Sequence, residues 1–168
     1  MVSYVVLMRG INIGKTKRVK IDDISSMLRK RFRNVSAYGQ SGNFVLDADM
    51  NRDDIISSIE SDIGNEFGFD VFCVVRTIDE LKKAVKNNPF PDAGTDELFF
   101  VFMKEKTLCE DDEWDYREDR AKRIDDVVYL ECKEEYHKTK LSNNFFEKEL
   151  GVICTTRNLN TVNAILRL

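Results

Sequence analysis

At 168 residues and 19.5 kDa, with 42% apolar and 33% charged residues, the chain carries enough apolar side chains for one sizeable core or two small ones and is not a disordered segment. No apolar run approaches the roughly 20 residues needed to cross a bilayer, and the amino terminus lacks the basic stretch and cleavage site of an export signal, so a soluble, cytoplasmic protein is expected. The net charge of -4 hides an asymmetry: nine Lys and Arg stand against Asp22 and Asp23 up to Leu46, then 17 basic against 28 acidic residues, which directs an anionic partner to the amino-terminal part.

In chain order, YVVLM at Tyr4 to Met8 predicts a strand covered on both faces. Ile21, Ile24, Met27, Leu28 and Phe32 share one helical face, with Asp22 and Asp23 at the positive end of the helix dipole. Val35 to Tyr38 and Asn43 to Leu46 flank Gly39, Gln40, Ser41 and Gly42, which predicts a hairpin. Ile55, Ile56, Ile59, Ile63 and Phe67 form the next helical stripe, opened by Asn51 or Asp53 and closed by Gly68, and Val71 to Val75 gives a further strand. This order is the split βαβ pattern of a ferredoxin-like sandwich.

Thr77 with Glu80 makes a capping box for a helix through Ile78, Leu81 and Val85, which Asn87, Asn88 and Pro89 stop. LFFVFM at Leu98 to Met103 and the run Asp126 to Cys132 predict two more buried strands. Between them Glu113, Glu118 and Asp119 each stand four residues before Arg117, Lys122 and Arg123, which predicts an exposed, charged helix. Ser142 caps a helix that Gly151 ends, and Leu159, Val162, Ile165 and Leu166 mark a last one. The second half loosely echoes the first. The expected class is α+β, with two ferredoxin-like subdomains, 1–76 and 77–168, in one compact body.

Polar chemistry gathers in three segments: Arg9 to Lys20, Tyr38 to Asn43, and Thr155 to Thr161. Gly10, Gly14, Lys15 and Thr16 invite a phosphate-loop reading, but only Ile11, Asn12 and Ile13 separate the glycines where four residues are needed, and the helical pattern begins at Ile21. What survives is a basic cluster of Arg9, Lys15, Lys17, Arg18 and Lys20 past the end of a strand, where ligand sites gather in open sheets. Arg9 follows four apolar residues and calls for an anion, either a ligand or a buried carboxylate. Gln40, Ser41 and Asn43 either make a turn or offer a dense donor and acceptor set. Arg157, Asn158 and Asn160 are read as opening the last helix, where free amides favour an anion.

His137 has no cysteine or carboxylate at ligand spacing, so no metal site is expected; paired with Ser41 or Ser142 it would make a nucleophile and base only by residue type. Cys73, Cys109, Cys132 and Cys154 are too dispersed for a zinc knuckle or redox dithiol and read as free thiols in a reducing cytosol.

RGINIG, QSGNFV, NNPF and TTRNLNTV, in this order and joined by KTKLSNNFFEKELG, resemble the microbial family catalogued as domain of unknown function 1697. The likeness runs over nearly the whole chain. It implies paired ferredoxin-like subdomains and candidate positions, and no chemistry, since the family has no assigned activity. Where its members often carry tryptophan in the last motif, this chain has Leu159.

Two functional classes follow. One is a binder, or enzyme, for a phosphate-bearing small molecule or nucleotide held in a polar cleft between subdomains by Arg9, Asn12, Lys15, Lys20, Gln40, Ser41, Asn43, Lys140, Arg157, Asn158 and Asn160. The other is an RNA-binding module or a non-catalytic interaction scaffold. Phe44 alone is a poor match to the several exposed aromatics an RNA-recognition sheet uses.

Overall fold

A computed structural model describes residues 1–107 and 112–168. Two antiparallel sheets and five helices make up the described chain, which divides into two compact units, Met1–Lys82 with Ala164–Leu168, and Lys83–Asn163. No helix in the described residues is long and apolar enough to cross a membrane.

The first unit runs β1 (Val2–Arg9), α1 (Ile21–Arg29), β2 (Arg33–Tyr38), β3 (Asn43–Ala48), α2 (Arg52–Phe67), β4 (Phe72–Thr77), with strand order β2-β3-β1-β4. Alternation along the strands turns Tyr4, Val6 and Met8, Phe44 and Leu46, and Cys73 and Val75 into one core with Ile24 and Leu28 of α1 and Ile55, Ile59 and Ile63 of α2. Val5, Leu7 and Val74 are buried as well, so β1 is covered on both faces as its composition predicts. Each such aliphatic side chain contributes about 1.5–3 kcal/mol when fully buried. The first helix stops at Arg29, short of Phe32 and Asn34, to which its pattern is expected to carry it, whereas local signals end α2 where expected. Asn51 Oδ1 accepts from the Asp54 amide at 2.9 Å, and Gly68 closes α2 at φ 76°.

The capping box opens α3 (Ile78–Lys86), with the Glu80 amide donating to Thr77 Oγ1 at 3.1 Å and the Thr77 amide to Glu80 Oε2 at 2.8 Å. Beyond α3, which is shared between the units, come β5 (Leu98–Met103), β6 (Glu113–Tyr116), β7 (Asp119–Ile124), β8 (Val127–Glu131), α4 (Asn143–Leu150) and β9 (Cys154–Asn158), in strand order β6-β7-β8-β5-β9, and then α5 (Leu159–Leu166), whose residues from Ala164 belong to the first unit. Val101, Met103, Val128, Leu130 and Cys154 meet Phe146 and Leu150 of α4 in the core of the second unit.

Here two expectations fail. The charged stretch predicted as a helix is the β6–β7 hairpin. Its i,i+4 ion pairs would add only a few tenths of a kcal/mol each, whereas the hairpin directs Trp114, Tyr116 and Ala121 to the core, with Trp114 edge-on to Phe146 at 5.3 Å, and still sets Glu113 across from Lys122. Likewise Thr155 to Arg157 does not open the last helix. It lies in strand β9, paired with β5 through Phe100 to Arg157, and the helix starts only at Leu159.

The echo between halves has a geometric form. The order β7-β8-β5-β9 repeats β2-β3-β1-β4. Met8 pairs with Cys73 on the last strand, and Met103 pairs with Cys154. The Met8 amide donates to Gly42 O at 2.8 Å, and the Met103 amide to Asp126 O at 3.2 Å. A glutamate on the intervening helix accepts from that cysteine's amide in both cases, Glu60 from Cys73 at 2.9 Å and Glu147 from Cys154 at 3.0 Å.

Candidate functional site

The β1–α1 connection is organised by Asn12. Gly10, Asn12, Gly14 and Lys17 all have left-handed φ values, 75°, 54°, 59° and 47°, a conformation that costs an ordinary side chain about 1–2 kcal/mol and suits Gly and Asn. They fold the loop back on itself: the Asn12 amide donates to Lys17 O at 3.0 Å, and Ile13 bridges Thr16. The Asn12 side chain then works in two directions. Its Nδ2 donates to Gln40 O at 2.8 Å, and its Oδ1 accepts from the Val19 amide at 2.8 Å. Ile11, 2% exposed, anchors the loop in the core.

Loop and hairpin therefore come together, joining the first two polar segments. Within the hairpin, buried Asn43 donates from Nδ2 to Tyr38 O at 2.9 Å and to Ser41 Oγ at 3.0 Å. Asn43 and Ser41 thus hold the turn, as the structural reading of this motif predicts. Gly42, at φ 83°, is pressed so close to β1 that a Cβ there would lie 2.7 Å from Met8 Cβ and 2.9 Å from Ile11 Cδ1.

The phosphate-loop reading fails by spacing, and three of the loop's amides, those of Asn12, Thr16 and Val19, are spent on bonds inside the loop. Anion recognition would fall to side chains, and these are available. Among the described residues, Lys15, Lys17, Arg18 and Lys20 make no ion pair. Elsewhere Lys30 meets Glu66, Arg31 meets Asp62, Arg52 meets Glu80 and Arg120 meets Glu131. Arg18 reaches only two backbone carbonyls, of Asn12 at 3.5 Å and Gly14 at 3.3 Å, both from Nη1. Lys20 is the N-cap of α1 and makes no capping bond with its side chain. Arg18 and Lys20 line an open cleft of about 390 Å³ with Asn12, Val19, Asp23, Gln40 and Phe67. Arg9, half-buried, ends β1 opposite Phe72, outside that lining set.

The remaining candidates lie in the second unit, and most of them serve its framework. Arg157, 8% exposed, donates from Nη1 to Thr155 Oγ1 at 2.7 Å and to Thr156 O at 3.0 Å. Burial lowers its guanidinium to about 10, which still leaves it charged at neutral pH. Asn158 Oδ1 accepts from the Thr161 amide at 2.8 Å, a helix cap, and Asn160 Nδ2 donates to Asp96 at 2.5 Å. Thr156 Oγ1 donates to Asn143 Oδ1 at 2.8 Å, and the Asn143 amide to the Tyr136 hydroxyl at 2.8 Å. Lys140 is exposed. Ser142 caps α4 through the Phe145 amide, while exposed His137 lies 3.2 Å from Glu135.

Three lining residues escaped sequence reasoning as ligand candidates: Val19, which carries no signal of its own, Phe67, whose spacing marks it as one more member of the α2 core stripe, and Asp23, whose place in the first turn of α1 marks it as a dipole partner. Among the described residues no group of three or more His, Cys, Asp or Glu could hold a metal. Cys73, Cys132 and Cys154 are free and buried; Cys109 lies outside the described residues.

A family model described as "Protein of unknown function (DUF1697)" matches residues 1–136. No curated protein matches. Among solved structures, a conserved bacterial protein from Streptococcus pneumoniae is similar at a TM-score of 0.68 and 17% identity, over 99% of this chain and 97% of that one, a likeness of fold.

Proposed function

The chain belongs to the DUF1697 family of proteins of unknown function, and we propose, from its own side chains, that its first unit binds an anionic, phosphate-bearing small molecule or nucleotide at the end of β1. The observation that carries this reading is the unneutralised set Lys15, Lys17, Arg18 and Lys20, held by Asn12 on a loop clamped to the hairpin, with Arg18 and Lys20 on one cleft. Leaving cations unpaired on an internally hydrogen-bonded loop keeps their donors for a ligand, and charge-assisted bonds to phosphate are worth about 1.5–3 kcal/mol each. On the same terms we read both units as ferredoxin-like, the second with β6 where the first has a crossover helix, in a protein that works in the cytosol.

A second reading, RNA binding, is favoured by Tyr38 and Phe72, exposed by 42% and 43% at strand ends near the basic loop. The two separate in one experiment. Inorganic phosphate, pyrophosphate and nucleotides at low salt raise the melting temperature of the intact protein, and Arg18→Ala with Lys20→Ala removes the effect without changing the circular dichroism. Unchanged binding by the double variant overturns the proposal, and retention on single-stranded RNA that falls steeply with salt, without any small-molecule shift, puts the RNA reading in its place.

A further inference from the structure

We infer that the ligand of this cleft is a nucleoside phosphate, bound with its base against Phe67 and its phosphate on Arg18 and Lys20. This rests on the anion reading above and narrows it. A bare phosphate would use only the two cations, and a sugar phosphate would leave the aromatic wall uncovered. The cleft is built otherwise: Phe67 and Val19 give it an apolar, partly aromatic wall, and Asp23 sets a carboxylate among the cations.

That carboxylate is the discriminating feature. Asp23 repels any anion that offers it no donor, so a ligand that gains from the whole lining must bring N–H or O–H groups as well as negative charge. A nucleoside phosphate does. Its base has a flat face for Phe67 and N–H groups, and its ribose hydroxyls can donate to Asp23. Gln40 and Asn12 sit in the same lining, and Gln40 adds a side-chain amide able to donate and accept. Asp22 also stands in the first turn of α1, so complementing the helix dipole does not by itself require Asp23. The cleft, about 390 Å³, falls within the roughly 300–1,000 Å³ of small-molecule sites.

The test titrates the intact protein by calorimetry with AMP, GMP, CMP and UMP, with the free nucleosides, with ribose 5-phosphate and with inorganic phosphate. At least one nucleotide binds about tenfold or more tightly than ribose 5-phosphate, and Phe67→Leu removes that advantage, the loss expected of one base–aromatic stack. Asp23→Asn moves the probes in opposite directions, weakening the nucleotide and tightening inorganic phosphate, which brings neither base nor ribose. Asp23 is exposed, so this arm, together with the comparison of nucleotides and ribose 5-phosphate on the unchanged protein, decides even where Phe67→Leu compromises folding. Equal affinity for nucleotides and ribose 5-phosphate overturns the nucleoside inference and leaves the anion reading standing. So does Asp23→Asn tightening every probe alike. Binding of none of the probes overturns both.

Discussion

Replacing Gly42 by alanine tests whether the hairpin and β1 are as tightly joined as their geometry states. Two costs arise. The first is conformational: φ of 83° is a region that an L side chain enters at about 1–2 kcal/mol. The second is steric. A methyl group at 2.7 Å from Met8 Cβ and 2.9 Å from Ile11 Cδ1 cannot be relieved by rotating Met8, because Cβ is fixed to a backbone whose amide donates to Gly42 O on one side and which pairs with Cys73 of β4 on the other. Overpacking of this kind costs about 1–3 kcal/mol, so the whole effect is about 2–5 kcal/mol. Gly39→Ala is the internal control, since Gly39 also has a left-handed φ, 69°, but its nearest neighbour would be Asn43 Nδ2 at 3.9 Å. Urea unfolding of both variants should show Gly42→Ala the less stable by about 1–3 kcal/mol, a midpoint difference of about 1 M at an ordinary slope. Equal midpoints would refute the steric half of the reasoning. Since the Cβ also collides with Ile11, the same variant loosens the basic loop and weakens ligand binding together with stability.

Asn12→Gly keeps the left-handed backbone and deletes the bonds to Gln40 O and the Val19 amide, costing about 1–3 kcal/mol in all; amide exchange at Val19 speeds up while that at Met8 does not, and unchanged protection of Val19 would contradict the role given to Asn12. Cys132 makes a pH prediction. Burial first, then the charge of Asp119, against a smaller opposing bond from Thr139, pushes its thiol up to about 12, so the native state keeps a proton that the unfolded chain releases near pH 8.5. Stability is therefore lost as pH rises from about 8.5 toward 12, Cys132→Ala flattens that part of the curve, and the native thiol resists alkylation at pH 8. Tyr129, raised by burial and by Asp126 and Asp125, adds a further loss above about pH 10 in both proteins.

Much of the fold was legible because the deciding residues lie within each element. The stripe of α1, the Thr77–Glu80 box, and Asn51 and Gly68 at the ends of α2 carry their instruction locally. The β6–β7 hairpin does not, because its deciding contact, Trp114 on Phe146, comes from a helix about thirty residues away in sequence, while the signals near at hand favour a helix. Strand β9 was hidden by its polarity. Thr155 and Arg157 read as ligand chemistry, yet each is buried and satisfied partly by the other. At the site, the cations and Asn12 stood out in the sequence. Phe67 and Asp23 did not, since a stripe member and a first-turn acid look the same whether or not a cleft opens beside them. Nor does the sequence show that Asn43 and Ser41 are occupied in holding their own turn.

The internal bonding of the β1–α1 loop has an evolutionary consequence. In a phosphate loop the backbone is the receptor, so ligand and architecture cannot be changed separately. Here the amides of Asn12, Thr16 and Val19 are bonded within the loop and the Asn12 side chain ties it to the hairpin, and the side chains at 15, 17, 18 and 20 project from a frame that does not depend on them for ion pairs. Such a loop is an interchangeable bearer of specificity. Substitutions at 15, 17 and 20 alter charge and reach without breaking a bond of that frame, while Arg18 alone also holds the Asn12 and Gly14 carbonyls, so one scaffold can be retuned to a different anion largely by point changes.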